Sequence, residues 1–294
     1  MEAVWQWGID FIHLVQLASG PALDAFFTAI TFLGEEEFFL LLLPFFLWCF
    51  DFTAGARVGV AFLLSTYVNI GLKDWFAHPR PFELEPTVKR YEVGGYGLPS
   101  GHAQSAVVVW GAIAIQYGKK WLWGVAILLM ILIGFSRIYL GVHFPTDVLG
   151  GWAVGAIFLA LYTRLGPRLE QWLKQASPGL RLTLAATVPL GLLVLHPTAD
   201  VAAPTAVLMG MGMGLVLTRR KSSFSAAGPP AQRAVRLLVG MAVLLPLYFG
   251  LKLVFPGSGE PFYVATRVLR YAVVGFWVAL GAPWLFRKLR LAPD

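Results

Sequence analysis

The sequence predicts an all-α protein, a polytopic transmembrane helical bundle, and three observations carry that reading. Hydrophobic residues make up 57% of the 294-residue chain, charged residues only 13%, and the mean hydropathy is +0.69. A soluble domain averages roughly 45–50% apolar and about 25% charged residues, so the apolar excess is more than one buried core consumes. Nine uncharged apolar runs punctuate the chain, at about 38–50, 58–72, 103–118, 121–136, 148–163, 182–195, 201–218, 237–251 and 271–286. One soluble domain cannot make all of them central helices, and they lack the polar–apolar alternation of barrel strands. The same composition excludes disordered, collagen-like and disulfide-scaffold classes, and the lone Cys49 has no partner for an internal disulfide.

Taken in order, segment 5–33 differs from the rest. Trp5, Ile9, Ile12, Leu14 and Leu17 alternate with Gln6, Asp10, His13 and Gln16 until Ser19-Gly20-Pro21 breaks the pattern. An interfacial amphipathic pair is expected there rather than a span. With no Lys or Arg in residues 1–30, and with Asp10 and Asp24 interrupting it, a cleavable signal peptide is not expected. Most of the nine runs fall short of the roughly 20 residues that cross a bilayer core. They read as spans because Trp110, Trp121, Trp123, Trp152 and Tyr162 flank them at positions suited to headgroup depth. Gly151/Gly155 and Gly210/Gly214 have the small-xxx-small spacing of closely packed helices.

Arg219–Gln232, with Gly228-Pro229-Pro230, reads as a polar loop, and the composition shift at Gly166–Gly179 reads as a boundary. The expected division is a core over 1–166 (interfacial helices plus five spans), a linker over 167–179, and an additional four-span region over 180–294. The added runs themselves carry no charge, and Asp200, which lies between two of them, is expected in the turn between two spans. Proton relays need intramembrane ionisable groups, so this region reads as scaffold, substrate wall or homodimer surface.

Charge sets the orientation. The chain has 23 basic and 16 acidic residues, but the basic ones are scattered between apolar runs rather than gathered with aromatics into a patch. Nucleic acid is therefore not an expected partner, and the lipid bilayer is. Crossing the membrane at each run puts 15 of the 23 basic residues on one side and 8 on the other. The positive-inside rule makes the first side cytoplasmic, with the N-terminus outside and the C-terminus inside. A bacterial inner membrane is expected, although endoplasmic reticulum satisfies the same count.

The basic-poor side nevertheless gathers unusual polar residues at its rim. Lys73-Asp74-Trp75-Phe76-Ala77-His78-Pro79-Arg80-Pro81 ends the second run, and Pro99-Ser100-Gly101-His102 begins the third. Ser136-Arg137 closes the fourth, and His143-Phe144-Pro145-Thr146-Asp147 leads into the fifth. Lys73, Arg80 and Arg137 have no equal number of acids in these motifs, so a dianion such as phosphate suits them. Ser100 suits a helix cap, and the free amides after it favour an anion. His143 and Asp147, four apart, fit one helix face, where the carboxylate fixes the imidazole tautomer and leaves the other nitrogen with its lone pair. His102 then remains as a proton donor to a leaving oxygen. The residues taken singly have blander readings: a hydrogen-bonded membrane histidine, rim arginines snorkelling to headgroups, or a one-His, one-carboxylate metal site too thin in ligands to expect. Each needs a separate excuse, whereas one phosphoryl-transfer site accounts for all of them.

Lys73-x6-Arg80-Pro81, Pro99-Ser100-Gly101-His102 and Ser136-Arg137-x5-His143-x3-Asp147 resemble the three-part signature of the type 2 phosphatidic acid phosphatase (PAP2) superfamily. All eleven prescribed residues occur in order, separated by 17 and then 33 residues, and the resemblance covers about 5–165. It implies an acid-phosphatase-like helical core that works without metal or other cofactor. It further implies His143 as the nucleophile forming a phosphohistidine, Asp147 as its orienter and His102 as the acid. Lys73, Arg80, Ser100, Gly101 and Arg137 would hold the phosphate. Members act on phosphatidate, phosphatidylglycerophosphate, polyprenyl diphosphates, sphingoid phosphates and glucose 6-phosphate. Region 180–290 extends beyond the core of bacterial lipid phosphatases, and nine spans look more like the glucose-6-phosphatase and sphingosine-phosphate phosphatase branch, an analogy of architecture alone. The expected function is hydrolysis of a membrane lipid phosphate or diphosphate at the extracytoplasmic face. The alternatives are a soluble sugar phosphate as substrate and a non-catalytic lipid-phosphate carrier.

Overall fold

The computed structural model describes residues 2–221 and 224–292, without side chains for 219–221. The described residues form helices and no strands. The break at Ser19-Gly20-Pro21 separates two short helices, α1 (Glu2–Gln16) and α2 (Pro21–Phe32), the second opening with Pro21, a residue whose fixed φ suits a helix start. Next come α3 (Glu36–Phe45), which runs into a π turn at Phe46–Phe50, then α4 (Phe52–Phe76) and α5 (Pro81–Leu84). After a loop follow α6 (Gly101–Tyr117), α7 (Lys120–Tyr139) and α8 (Pro145–Gln175). The remaining helices are α9 (Pro178–Leu195), α10 (Ala199–Lys221), α11 (Pro230–Leu245), α12 (Leu251–Val254), α13 (Tyr263–Phe276) and α14 (Ala282–Lys288). π turns at Pro246–Gly250 and Trp277–Gly281 join α11 to α12 and α13 to α14.

All nine apolar runs lie on helices. Seven helical stretches among the described residues are long and apolar enough to cross a membrane, which makes this a multi-pass integral membrane protein. The other two runs fall on α3 with its π turn and on α6, which has 17 residues. Outward faces are apolar: Val194 and Leu195 on α9 are 69% and 79% exposed. A surface of that kind suits lipid rather than water.

Three boundaries differ from expectation. Gly166-Pro167 does not end a helix, since α8 continues to Gln175. The span 167–179 is therefore the last turns of α8, Ala176-Ser177, and the first turn of α9, capped by the Ser177 side chain accepting from Leu180 N. The expected loop at Arg219–Gln232 shrinks, because α10 reaches Lys221 and α11 begins at Pro230. Ser222 and Ser223 lie outside the described residues. Asp200 sits in the first turn of α10 rather than before it, where its carboxylate complements the positive end of the helix dipole.

The chain forms two compact units, Met1–Leu40 with Val68–Arg164, and Leu41–Tyr67 with Leu165–Asp294. In the first, Ile12, Val88, Ala103, Ile138 and Val148 form one core cluster, and Phe27, Tyr139, Leu140 and Val142 another. The buried Gln16 amide ties α1 into it, donating to Val88 O and Tyr139 O at 2.8 Å each. In the second, α10 packs on α9 and α13. The buried Trp48 indole donates to Val278 O at 2.9 Å, and Arg57 makes a two-pronged pair with Glu170 at 2.7 and 2.8 Å. Residues 41–67, placed with the N-terminal part by reading along the chain, thus pack with the C-terminal helices.

Both small-xxx-small pairs mark close contacts. A Cβ on Gly151 would lie 2.5 Å from Ser100 O, and one on Gly155 2.9 Å from Val107 Cβ, so α8 presses directly on α6. A Cβ on Gly214 would lie 2.9 Å from Ala279 Cβ. Gly151→Ala should therefore lower thermal stability in detergent by about 1–3 kcal/mol, the usual cost of overpacking. Gly166→Ala, with nothing within 4 Å, should not. A Gly151→Ala protein that melts with the wild type would show that α6 and α8 are not in this contact.

Candidate active site

Every candidate residue lies in the first unit. The site begins where α6 and α8 start side by side. Ser100 caps α6, its Oγ accepting from Ala103 N at 3.5 Å. Its own N–H donates to Asp147 O at 2.9 Å. Buried Asn69 braces the same corner, donating to Pro99 O at 3.2 Å and Gln104 Oε1 at 2.9 Å. A Cβ on residue 101 would lie 3.0 Å from Asn69 Oδ1, so Gly101 lets the α6 N-terminus sit tight against α4.

Asp147 occupies the first turn of α8, and His143 precedes the helix instead of riding on it. The four-residue spacing still brings them together, because Asp147 turns back as a cap. Its Oδ2 accepts from Phe144 N at 2.9 Å and lies 3.3 Å from His143 Nδ1. On the other side of the ring, Arg80 Nη1 is 3.3 Å from His143 Nε2. A guanidinium only donates, so Nε2 is the lone-pair nitrogen and Nδ1 carries the proton toward Asp147. Burial pushes the His143 pKa well below the ordinary histidine range; Asp147 opposes that, while Arg80 and Lys73 add to it. The imidazole is accordingly neutral at physiological pH.

The cations are held by carbonyls. Arg80 is buried and donates to Gly95 O at 2.6 Å, Gly94 O at 2.8 Å and Val142 O at 2.8 Å. Lys73 Nζ donates to Tyr96 O and lies 3.5 Å from Gly97 O. The 94–97 loop thus brings the two cations of the first motif together. Arg137 is 1% exposed; its Nη1 donates to Thr31 Oγ1 at 2.6 Å, and its Nε has no hydrogen-bond partner. The Arg137 carbonyl accepts from the backbone N–H of His143 at 3.3 Å. Arg137 and His102 meet at Glu35, whose Oε1 lies 3.7 Å from Arg137 Nη1 and 3.2 Å from His102 Nε2. Burial alone would raise the Glu35 pKa, but His102, Arg137 and the Tyr91 hydroxyl outweigh it and hold it at about 2.

Sequence reasoning missed several contributors. His78, between Lys73 and Arg80, places Nδ1 3.3 Å from Asp147 Oδ1, within ion-pair reach though out of line for a hydrogen bond. Trp5 Nε1 donates to His78 Nε2 at 2.8 Å. An indole N–H only donates, so the proton of the neutral His78 ring is on Nδ1, facing Asp147. The only sequence signals were a histidine inside the first motif and, for Glu35, an acidic run at the edge of an apolar one. Neither names its partner.

Residues 54–171 match the PAP2 superfamily, and residues 202–294 match the "PAP2 superfamily phosphatase, transmembrane extension". Phosphatidylglycerophosphatase B of Bacillus subtilis (strain 168) is 31% identical over 165 residues, 52% of this chain and 79% of that protein. The chain belongs to the PAP2 superfamily. Sphingosine-1-phosphate phosphatase 2 of Mus musculus is 32% identical over 198 residues, 63% of this chain, which spans 55% of that relative's length. The crystal structure of a transmembrane PAP2-type phosphatidylglycerolphosphate phosphatase from Bacillus subtilis superposes with a TM-score of 0.50 at 28% identity, covering 57% of this chain and 88% of that one. Trp5, Thr31 and Glu35 lie outside the 54–171 match to the superfamily.

The Trp5–His78 hydrogen bond fixes a tautomer, and selective ¹⁵N-histidine spectra read it. His78 should show a protonated Nδ1 and an unprotonated Nε2 in the wild type, and Trp5→Phe should release it to tautomeric exchange. A wild-type spectrum with the proton on Nε2 would contradict the geometry.

Proposed function

We propose that this PAP2 superfamily member is a membrane phosphatase that hydrolyses a phosphomonoester or diphosphate of a lipid through a phosphohistidine on His143. The observation carrying this is the orientation of that ring: Nδ1 faces a buried carboxylate and Nε2 presents its lone pair beside Arg80. Binding alone needs only the cations. A nucleophile with an orienter is catalytic equipment.

In this reading Arg80, Arg137 and Lys73, with the amides after Ser100-Gly101, hold the phosphoryl oxygens. Preorganised donors of this kind act most strongly where charge develops in the transition state. His143 Nε2 attacks phosphorus, and the bond to the leaving oxygen breaks with its electron pair on that oxygen. His102 donates a proton to it. Asp147 balances the positive charge that the imidazole acquires on becoming phosphorylated. In the second half His102, now neutral, accepts a proton from water as that water attacks phosphorus and restores His143. No metal or other cofactor enters these steps.

The lipid part of the proposal is supported by the relatives, named for sphingosine-1-phosphate and phosphatidylglycerophosphate. The placement at the extracytoplasmic face is supported by the distribution of basic residues.

Phosphate release by the detergent-purified protein, with EDTA present, tests the reading on a panel of lipid phosphates and a hexose phosphate. Lipid phosphates should be hydrolysed and EDTA should not matter. Release that stops on chelation would overturn the metal-free steps, and preference for the hexose phosphate would overturn the lipid assignment. His143→Ala should abolish release and the acid-labile phosphoprotein trapped from wild type. Asp147→Asn should retain phosphate binding and lose about 10⁴-fold in turnover, as other oriented histidines do. Wild-type turnover in either variant would reject the role assigned to it.

A further inference from the structure

The α2–α3 junction closes on His102 from outside the residues that match the superfamily. A Cβ on Gly34 would lie 2.4 Å from His102 Cδ2 and 2.9 Å from Cγ, so the backbone touches that edge of the ring and only glycine fits. One residue on, Glu35 Oε1 approaches Nε2 to 3.2 Å, a charge contact out of line for a hydrogen bond. The same oxygen accepts from the Tyr91 hydroxyl at 3.0 Å. Thr31, at the end of α2, accepts from Arg137 at 2.6 Å. The junction is therefore tied to the loop before α6 and to α7, with the His102 imidazole enclosed between them.

We propose that Glu35 is a positioning residue for His102: it supplies the counter-charge for the imidazolium that forms once a phosphate dianion enters, and it directs the ring's Nδ1–H to the leaving oxygen. This inference rests on the phosphatase reading above. A buried imidazolium is costly unless paired, and nearby positive charge makes it more so. Burial, with Arg137 from α7 and Lys73 from α4, holds the His102 pKa at about 4, below the ordinary histidine range, and Glu35 from the junction opposes them; an entering phosphate dianion would act with Glu35 to charge the ring. With Nε2 turned to the carboxylate, the proton that moves is the one on Nδ1. It passes to the leaving oxygen as the phosphorus–oxygen bond breaks, and a proton from the attacking water replaces it in the second half. Glu35 touches neither phosphate nor leaving group.

The test compares two substrates on one preparation. An alkyl phosphomonoester lipid expels an alkoxide that needs a proton, whereas p-nitrophenyl phosphate expels a phenolate that leaves without one. Glu35→Gln should lose about 100-fold on the lipid, the scale of general acid catalysis, and less than about tenfold on the aryl ester. The alkaline limb of its lipid pH profile should also move to lower pH, because an unpaired imidazolium gives up its proton more readily. Glu35→Asp should recover part of the lipid activity. The ratio of the two rates does not depend on the fraction folded. Equal losses on both substrates with an unmoved alkaline limb would overturn the assignment of Glu35. Failure of the wild type to release phosphate from either substrate would instead overturn the phosphatase reading itself.

Discussion

Asp147 is fully buried, and burying a carboxylate costs several kcal/mol unless it is paired and hydrogen-bonded. Its surroundings answer that demand from three directions: the Phe144 amide, the His143 ring and the His78 ring. Each partner is itself fixed. Phe144 lies in the turn that starts α8, His143 is backed by Arg80, and His78 is held by Trp5. The carboxylate thus organises segments from α1, the α4–α5 connection and the α7–α8 connection around one point. Because both nitrogens of His143 are spoken for, one by an acceptor and one by a donor, a single tautomer is built into the fold.

The positive side of the pocket follows a different rule. Arg80 and Lys73 are satisfied by backbone carbonyls from 94–97 and from Val142 rather than by acids. Carbonyls aim the donors without cancelling their charge, and in the proposed reaction that surplus is what meets the phosphate dianion. Arg137 retains a buried Nε with no acceptor, a donor that a phosphoryl oxygen would complete. The glycines of this region serve the same end. At Gly97 a Cβ would lie 2.9 Å from Asp147 Oδ2, and its absence lets the loop carrying those carbonyls come up against the carboxylate.

How much of this was legible in the sequence follows from how far apart the partners lie along the chain. The three motifs were readable because spacing within each is short: Ser100 caps the helix it begins, and Asp147 meets the histidine four residues before it. The helical bundle was readable because apolar runs declare themselves without reference to one another. Glu35 and His78 were not assigned, since their roles depend on partners 67 and 69 residues away (His102 and Asp147), which no local pattern encodes. The boundary expected at Gly166–Gly179 rested on a composition shift, and that shift does not end the helix: α8 runs through it to Gln175 with Pro167 inside. The grouping of 41–67 with the C-terminal helices was a property of packing alone.

The claim beneath all of this is that three motifs distant in sequence surround one phosphorus atom. A structure of the protein with inorganic phosphate bound in a lipid nanodisc tests it most directly. The phosphorus should lie in line with His143 Nε2, with its oxygens on Arg80, Arg137 and the amides following Ser100, and with His102 Nδ1 on the side away from the nucleophile. Phosphate bound elsewhere, or bound among the cations with His143 Nε2 turned away from it, would contradict the account.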